Sequence, residues 1–171
     1  MSLTIDPGNS LSIEAFVERF GGVYEHSPWI ARSTWSAAPF DSLEQLEKAF
    51  RQTVADSSPE EKLSLIRAHP DLVGRVVLTA ESQGEQQAAG LGDLTPDESA
   101  LFDRYNSDYK ARFGFPFVIC ARKNKKDAIL EAFPRRLQNS REQEIQTALE
   151  QIHQIASLRL ADLLSQPYGQ T

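Results

Sequence analysis

The sequence predicts an all-α domain of about eight helices, with one buried extended segment near residues 113–121. Three observations carry this. A Ser or Thr followed three residues later by Glu or Gln recurs at Ser42, Ser58, Thr95 and Ser140, the form of a helix-starting capping box. Apolar residues then follow at spacings of three and four, which places them on one helical face. The period-two alternation of a half-buried strand is almost absent.

Residues 1–9, with Pro7-Gly8-Asn9, read as a loose lead-in. Ser10 or Ser12 can cap a first helix carrying Ile13, Phe16, Val17 and Phe20, ended by Gly21-Gly22. Ser27-Pro28 starts a second, with Trp29, Ile30 and Trp35 to bury and Pro39 to close it. The Ser42 box opens a third through Leu43, Leu46, Ala49, Phe50 and Val54. The Ser58 box opens a fourth, with Leu63 and Ile66 inward, Leu65 as a further inward candidate, and Pro70 stops it.

Residues 71–81 connect, and Val76-Val77-Leu78 suits either a helical turn or an extended piece. Ser82 to Ala89 reads as a short helix terminated by Gly90. The Thr95 box starts a helix to about Arg112, burying Leu101, Phe102, Tyr105 and Tyr109. Phe113-Gly114-Phe115-Pro116-Phe117-Val118-Ile119-Cys120-Ala121 breaks the pattern. It is apolar, holds Gly and Pro, and has no partner run to pair with, so it reads as buried extended chain. Asn124 can cap a helix through Ile129, Leu130, Phe133 and Leu137, with Pro134 kinking or ending it. The Ser140 box begins the longest helix, to about Leu164.

A chain of 171 residues is one domain, and no internal repeat or linker divides it. At this size roughly 70% of the unfolded surface can be buried, so neither disulfide nor metal is needed. The single cysteine, Cys120, excludes an internal disulfide and favours a reducing compartment. The net charge of −6, with only Arg122 to Lys126 as a short basic run, argues against nucleic acid and anionic membranes as partners. No apolar run approaches the ~20 residues that span a bilayer. The start lacks the basic-then-apolar order of a secretory signal, and the last residues match no targeting tripeptide. A soluble cytoplasmic protein is expected.

Three places stand out chemically. His69 lies in Arg67-Ala68-His69-Pro70-Asp71-Leu72. Pro70 disfavours helix at His69 and pushes it into extended geometry at a helix end, and imidazole titrates near neutrality. The plain alternative is a helix-terminal histidine bonded to backbone. Arg159 falls on the stripe Ile145, Leu149, Ile152, Ala156, Arg159, Leu163, where a leucine would otherwise sit. It is either paired with a buried carboxylate or an anion clamp. Ser82-x-x-Glu85, with Gln86 beside it, is either a simple helix start or a turn whose N–H groups, acid and amide meet a polar planar ligand. His26 and His153 form no metal-spaced pair with His69, and Cys120 reads as a buried thiol rather than a nucleophile.

Taken together and in order, His69-Pro70-Asp71-Leu72, Ser82-Gln83-Gly84-Glu85-Gln86, Phe113 to Ile119 and Arg159-Leu160 resemble the 2-oxo-4-hydroxy-4-carboxy-5-ureidoimidazoline (OHCU) decarboxylase family of urate breakdown. Each motif alone is weak, whereas the ordered set is specific and spans about residues 12–165. The resemblance implies a single all-α domain, decarboxylation to (S)-allantoin, and no metal or organic cofactor. It implies His69 as catalytic acid–base, with Glu85 and Arg159 as its catalytic partners. Pro70, Ser82, Gln83, Gly84, Glu85, Gln86 and Arg159 would bind substrate, as would the main chain of Phe117, Val118, Ile119, Cys120 and Ala121. The partner implied is the small ureidoimidazoline substrate. The family often forms homodimers, while the sequence itself leaves the oligomeric state open. A non-catalytic helical module binding a purine-derived ligand or a protein is the alternative.

Overall fold

The computed structural model of the chain describes residues 10–74 and 78–165. Its described residues form eight α-helices and two single 3₁₀ turns, with no strand. The helices are α1 (Ile13–Phe20), α2 (Pro28–Thr34), α3 (Leu43–Ala55), α4 (Pro59–Arg67), α5 (Ala80–Ala88), α6 (Pro96–Phe113), α7 (Lys126–Leu137) and α8 (Arg141–Leu164). The lead-in at 1–9, the Val76-Val77 connection and the C-terminal tail after 165 lie outside the described residues. Among the described residues no helix is long and apolar enough to cross a membrane.

Helix starts follow the expected chemistry. Ser12 and Ser42 accept from the N–H groups of Ala15 and Gln45, each at 3.2 Å. The boxes at Ser58, Thr95 and Ser140 are reciprocal, with Glu61, Glu98 and Gln143 bonding back to the capping residue's N–H. These bonds occupy donors that a helix start otherwise leaves open. Gly114 ends α6 at φ 81°, a left-handed cap that a side chain would disfavour.

Close contacts group the chain into two compact units, with boundaries inside α4 after Leu65 and inside α8 after Ile155. The first unit packs α1 on α2 and α2 on α3. Its core is aromatic. Phe16 sits 4.8 Å from Phe20 and 6.2 Å from Phe50, and Tyr24 sits 5.7 Å from Phe50, ring centre to ring centre. The second unit, Ile66–Ile155, packs α6 on α7 and α5 on the 3₁₀ turn Ala121–Lys123. There Phe117 stacks on Phe133 at 3.8 Å, and Tyr109 meets Phe113, Phe115 and Phe117.

Several local expectations shift. α2 stops at Thr34 and passes into a 3₁₀ turn, Trp35–Ala37, before Pro39 is reached. Trp29 and Trp35 are only half buried, while Thr34 is buried with its hydroxyl donating to the Ile30 carbonyl at 2.7 Å. Leu65, the further inward candidate, is buried, as is Ile66, whereas Leu63 is half buried. α7 starts at Lys126 instead of after Asn124, whose amide turns back to the Cys120 carbonyl. α7 also continues through Pro134 to Leu137.

Candidate functional site

Two residues after α4 ends, the chain turns at His69-Pro70. His69 is 8% exposed, and its N–H donates to the Ile66 carbonyl at 3.2 Å. On one side Arg67 Nε donates to the Gly114 carbonyl at 3.1 Å, tying the end of α4 to the cap of α6. On the other side the Leu72–Val73 peptide is gripped at both polar atoms. Its carbonyl accepts from Asn106 Nδ2 at 2.8 Å, and its N–H donates to Gln86 Oε1 at 3.1 Å. Val73 has φ 58°, a left-handed conformation that strains a β-branched residue by about 1–3 kcal/mol unless its surroundings hold it. Lys110 and Asp71 add an ion pair at 2.6 Å, half exposed and therefore of small energetic weight.

The α5 region differs from the expected box at Ser82. The helix begins at Ala80 and is capped by Thr79, whose hydroxyl accepts from the Ser82 N–H at 3.2 Å. The Gln83 N–H is committed to the Thr79 carbonyl at 2.9 Å. The N–H groups of Ser82 and Gln83 are therefore used inside the helix start. Gln83 and Gly84 sit on the exposed side, and nothing lies within 4 Å of where a Gly84 side chain would begin. Ser82, Glu85, Gln86 and Ala89 share the other side, at helical spacing. Ser82 and Ala89 are buried, and Glu85 and Gln86 half buried. The Gln86 amide has a set orientation, because its oxygen is taken by Val73.

Residues 115–121 are buried throughout and form no regular element before the 3₁₀ turn at Ala121, with Cys120 in extended geometry. Side chains hold this backbone. Arg136 Nη1 donates to the Val118 carbonyl at 2.7 Å, Gln151 Oε1 accepts from the Cys120 N–H at 2.9 Å, and Asn124 donates to the Cys120 carbonyl at 2.9 Å. Cys120 is a buried free thiol. Burial pushes its pKa up, and the negative charge of Glu85 adds to that rise, against a lowering by Lys123. α5 packs on the turn that follows this segment, and the Lys126 N–H donates to the Ala89 carbonyl at 3.1 Å. The second unit thus joins the His69 loop to α5 through Gln86, and α5 to the 115–121 segment.

Arg159 belongs to the first unit. It is 5% exposed and bonds Glu25 at 3.2 Å and the Gly22 carbonyl at 3.0 Å. Of the alternatives the apolar stripe left open, the structure shows a pairing with a buried carboxylate, Glu25, 2% exposed. Glu25 lies in an irregular stretch, where no periodicity announces it. The buried face of α8 also runs through Glu144, Ala148, Ile155 and Leu160, while Ile145, Leu149 and Leu163 are half buried.

The sequence reading missed Arg136, Glu144 and Asn106. Arg136 is 5% exposed and Glu144 fully buried, joined at 2.8 Å, with Tyr109 and Asn139 also donating to Glu144. All three missed residues interrupt an apolar stripe, the signal that singled out Arg159. Among the described residues no three His, Cys, Asp or Glu side chains gather as a metal-ligand group.

The chain is an all-α protein whose second unit sets ionisable and amide side chains at helix ends and beside a buried irregular segment, and comparison with known proteins gives its kind. The OHCU decarboxylase family model matches residues 9–161, across both units. The chain is 44% identical over 163 residues to 2-oxo-4-hydroxy-4-carboxy-5-ureidoimidazoline decarboxylase of Haloferax volcanii, covering 95% of this chain and 97% of that protein. It is likewise 44% identical to the protein of that name from Amia calva, covering 95% of both. A crystal structure of (S)-allantoin synthase superposes with a TM-score of 0.77 at 32% identity, over 95% of this chain and 54% of that one. The chain belongs to the OHCU decarboxylase family.

Proposed function

We propose that this protein decarboxylates 2-oxo-4-hydroxy-4-carboxy-5-ureidoimidazoline, as the names of its relatives state for them, and that the product is (S)-allantoin, the compound named for the similar allantoin synthase structure. The carbon that loses CO2 lies beside a C=N of the same ring. The electron pair of the breaking C–C bond is taken up by the substrate itself. What remains for the protein is to orient the carboxylate and to deliver a proton to one face.

His69 is the acid–base group in this reading, and Pro70 shapes one wall. Glu85 bonds substrate N–H groups, with Ser82 beside it. Gln86 offers its NH2 to a carbonyl, because its oxygen is held by Val73. Main chain between Phe117 and Ala121 lines the binding surface, and Arg159, oriented by Glu25, takes a carboxylate or ring carbonyl. Gln83 and Gly84 have a smaller part than the sequence suggested, given their exposed position. The observation that carries the reading is the link from the His69 loop through Gln86 to the Glu85 face of α5. One domain acting in the cytoplasm, singly or as a homodimer, fits a chain whose one cysteine is a free thiol.

Mixing the protein with freshly generated substrate should speed the appearance of optically active allantoin, followed by circular dichroism. His69→Asn should lower that acceleration by about 10²–10⁴-fold. An unaccelerated reaction with the wild-type protein, but saturable binding of the product, would favour the non-catalytic alternative.

A further inference from the structure

We propose that Asn106 is a positioning residue for the reaction: by clamping the Leu72–Val73 peptide it holds His69 where its imidazole acts. The proposal rests on the assignment of His69 as the acid–base group. Asn106 sits on the buried face of α6 with Phe102, Tyr109 and Phe113. An apolar residue would suit that face, because a buried amide must find partners for both ends. Asn106 finds one. Its Nδ2 reaches the Leu72 carbonyl at 2.8 Å, while its Oδ1 is buried with no hydrogen-bond partner among the described residues. A side chain chosen for stability alone would not leave that oxygen stranded.

The bond it makes falls on a strained point. Val73, the other half of the same peptide, is left-handed at φ 58°. A valine relaxes from that conformation unless held, and two helices hold it, Asn106 from α6 and Gln86 from α5. The distance to His69 is short in torsional terms. Only Pro70, Asp71 and Leu72 intervene, and the Pro70 ring fixes one of their rotations. A swing of the Leu72–Val73 peptide is passed toward His69 through these three residues, of which Asp71 is itself held by Lys110. Asn106 itself touches no reacting atom in this scheme.

The test compares wild type, Asn106→Leu, Val73→Gly and the double variant by kcat, KM and melting temperature. Leucine fills the space and removes the buried amide oxygen but also the donor to the Leu72 carbonyl, so the two effects should largely offset and Asn106→Leu should shift the melting temperature by only a few degrees. Its kcat should fall about ten- to a hundred-fold, with KM within about two-fold. Glycine adopts left-handed φ without strain, so Val73→Gly added to Asn106→Leu should restore part of kcat. In a His69→Asn background Asn106→Leu should cost nothing further. Unchanged kcat in Asn106→Leu, or an equal further loss in the His69→Asn background, overturns the proposal. If Asn106→Leu does not fold, Asn106→Ser is read in the same way. Failure of the underlying assignment shows separately, as a wild type without activity or a His69→Asn variant that retains it.

Discussion

Arg136 and Glu144 form an ion pair at 2.8 Å with side chains 6% and 0% exposed. The same guanidinium donates to the Val118 carbonyl and lies 4.2 Å over the Phe117 ring. One charge pair therefore ties α7 and α8 to the extended segment proposed to line the site. The carboxylate is enclosed by three donors, from Arg136, Tyr109 and Asn139, which is what makes a fully buried charge tolerable.

Removing one partner should be far worse than removing both. Arg136→Met alone strands the Glu144 carboxylate and should destabilise by about 3–5 kcal/mol. Arg136→Met with Glu144→Leu should recover most of that loss. Urea unfolding of the three proteins measures the difference, and an additive double variant would show that the pair is not coupled.

Two phenols should titrate late. Burial raises the Tyr24 pKa well above 10.0, and burial together with the bond to Glu144 does the same for Tyr109. Above about pH 10 the unfolded chain releases these protons while the folded chain keeps them. Stability is then fully present below that pH and falls as pH rises beyond it. Ultraviolet titration of phenolate should show one late-titrating group lost in Tyr24→Phe and another in Tyr109→Phe.

The Glu85 charge contributes to the raised Cys120 pKa, after burial. Glu85→Gln should therefore lower the thiol pKa, read from alkylation rate against pH. In the wild-type native state Cys120 should react about a hundred-fold more slowly than after denaturation, as a buried thiol does. A native thiol that alkylates as fast as the denatured one would show that the segment is not buried.

Thr95→Ala removes the hydroxyl half of the α6 box and should cost about 1 kcal/mol at neutral pH. Glu98 forms the other half, and its carboxyl is held below the usual value of 4.5 by the Thr95 N–H and then by Lys126. A lowered acid stabilises the fold above its unfolded pKa and loses that effect as pH falls through the folded one. Thr95→Ala keeps that backbone N–H and Lys126, so both proteins should lose this contribution in acid, whereas Glu98→Gln should flatten the acid dependence of the melting temperature.

Much of this was legible because it is local. The boxes at Ser58, Thr95 and Ser140 need only residues three apart, and each forms as read. Arg159 announced itself by breaking an apolar stripe, and Pro70 by its ring. The start of α5 was misread because Thr79 and Ser82 both offer a hydroxyl at a plausible cap. The cap hydroxyl proved to be that of Thr79, and this changes which N–H groups around Ser82 are occupied.

By itself the sequence determined the number of helices, the caps at Ser12, Ser42, Ser58, Thr95 and Ser140, most of the buried run at 113–121 and the family, since each depends on neighbours in the chain or on motif order. Only the tertiary structure decided the partners of buried polar groups: Glu25 for Arg159, Glu144 for Arg136, Leu72 for Asn106. A buried charge or amide states that it needs a partner, because leaving water without one is costly. Which residue supplies it depends on segments brought together from as far as 134 positions apart, and no spacing rule reaches that far.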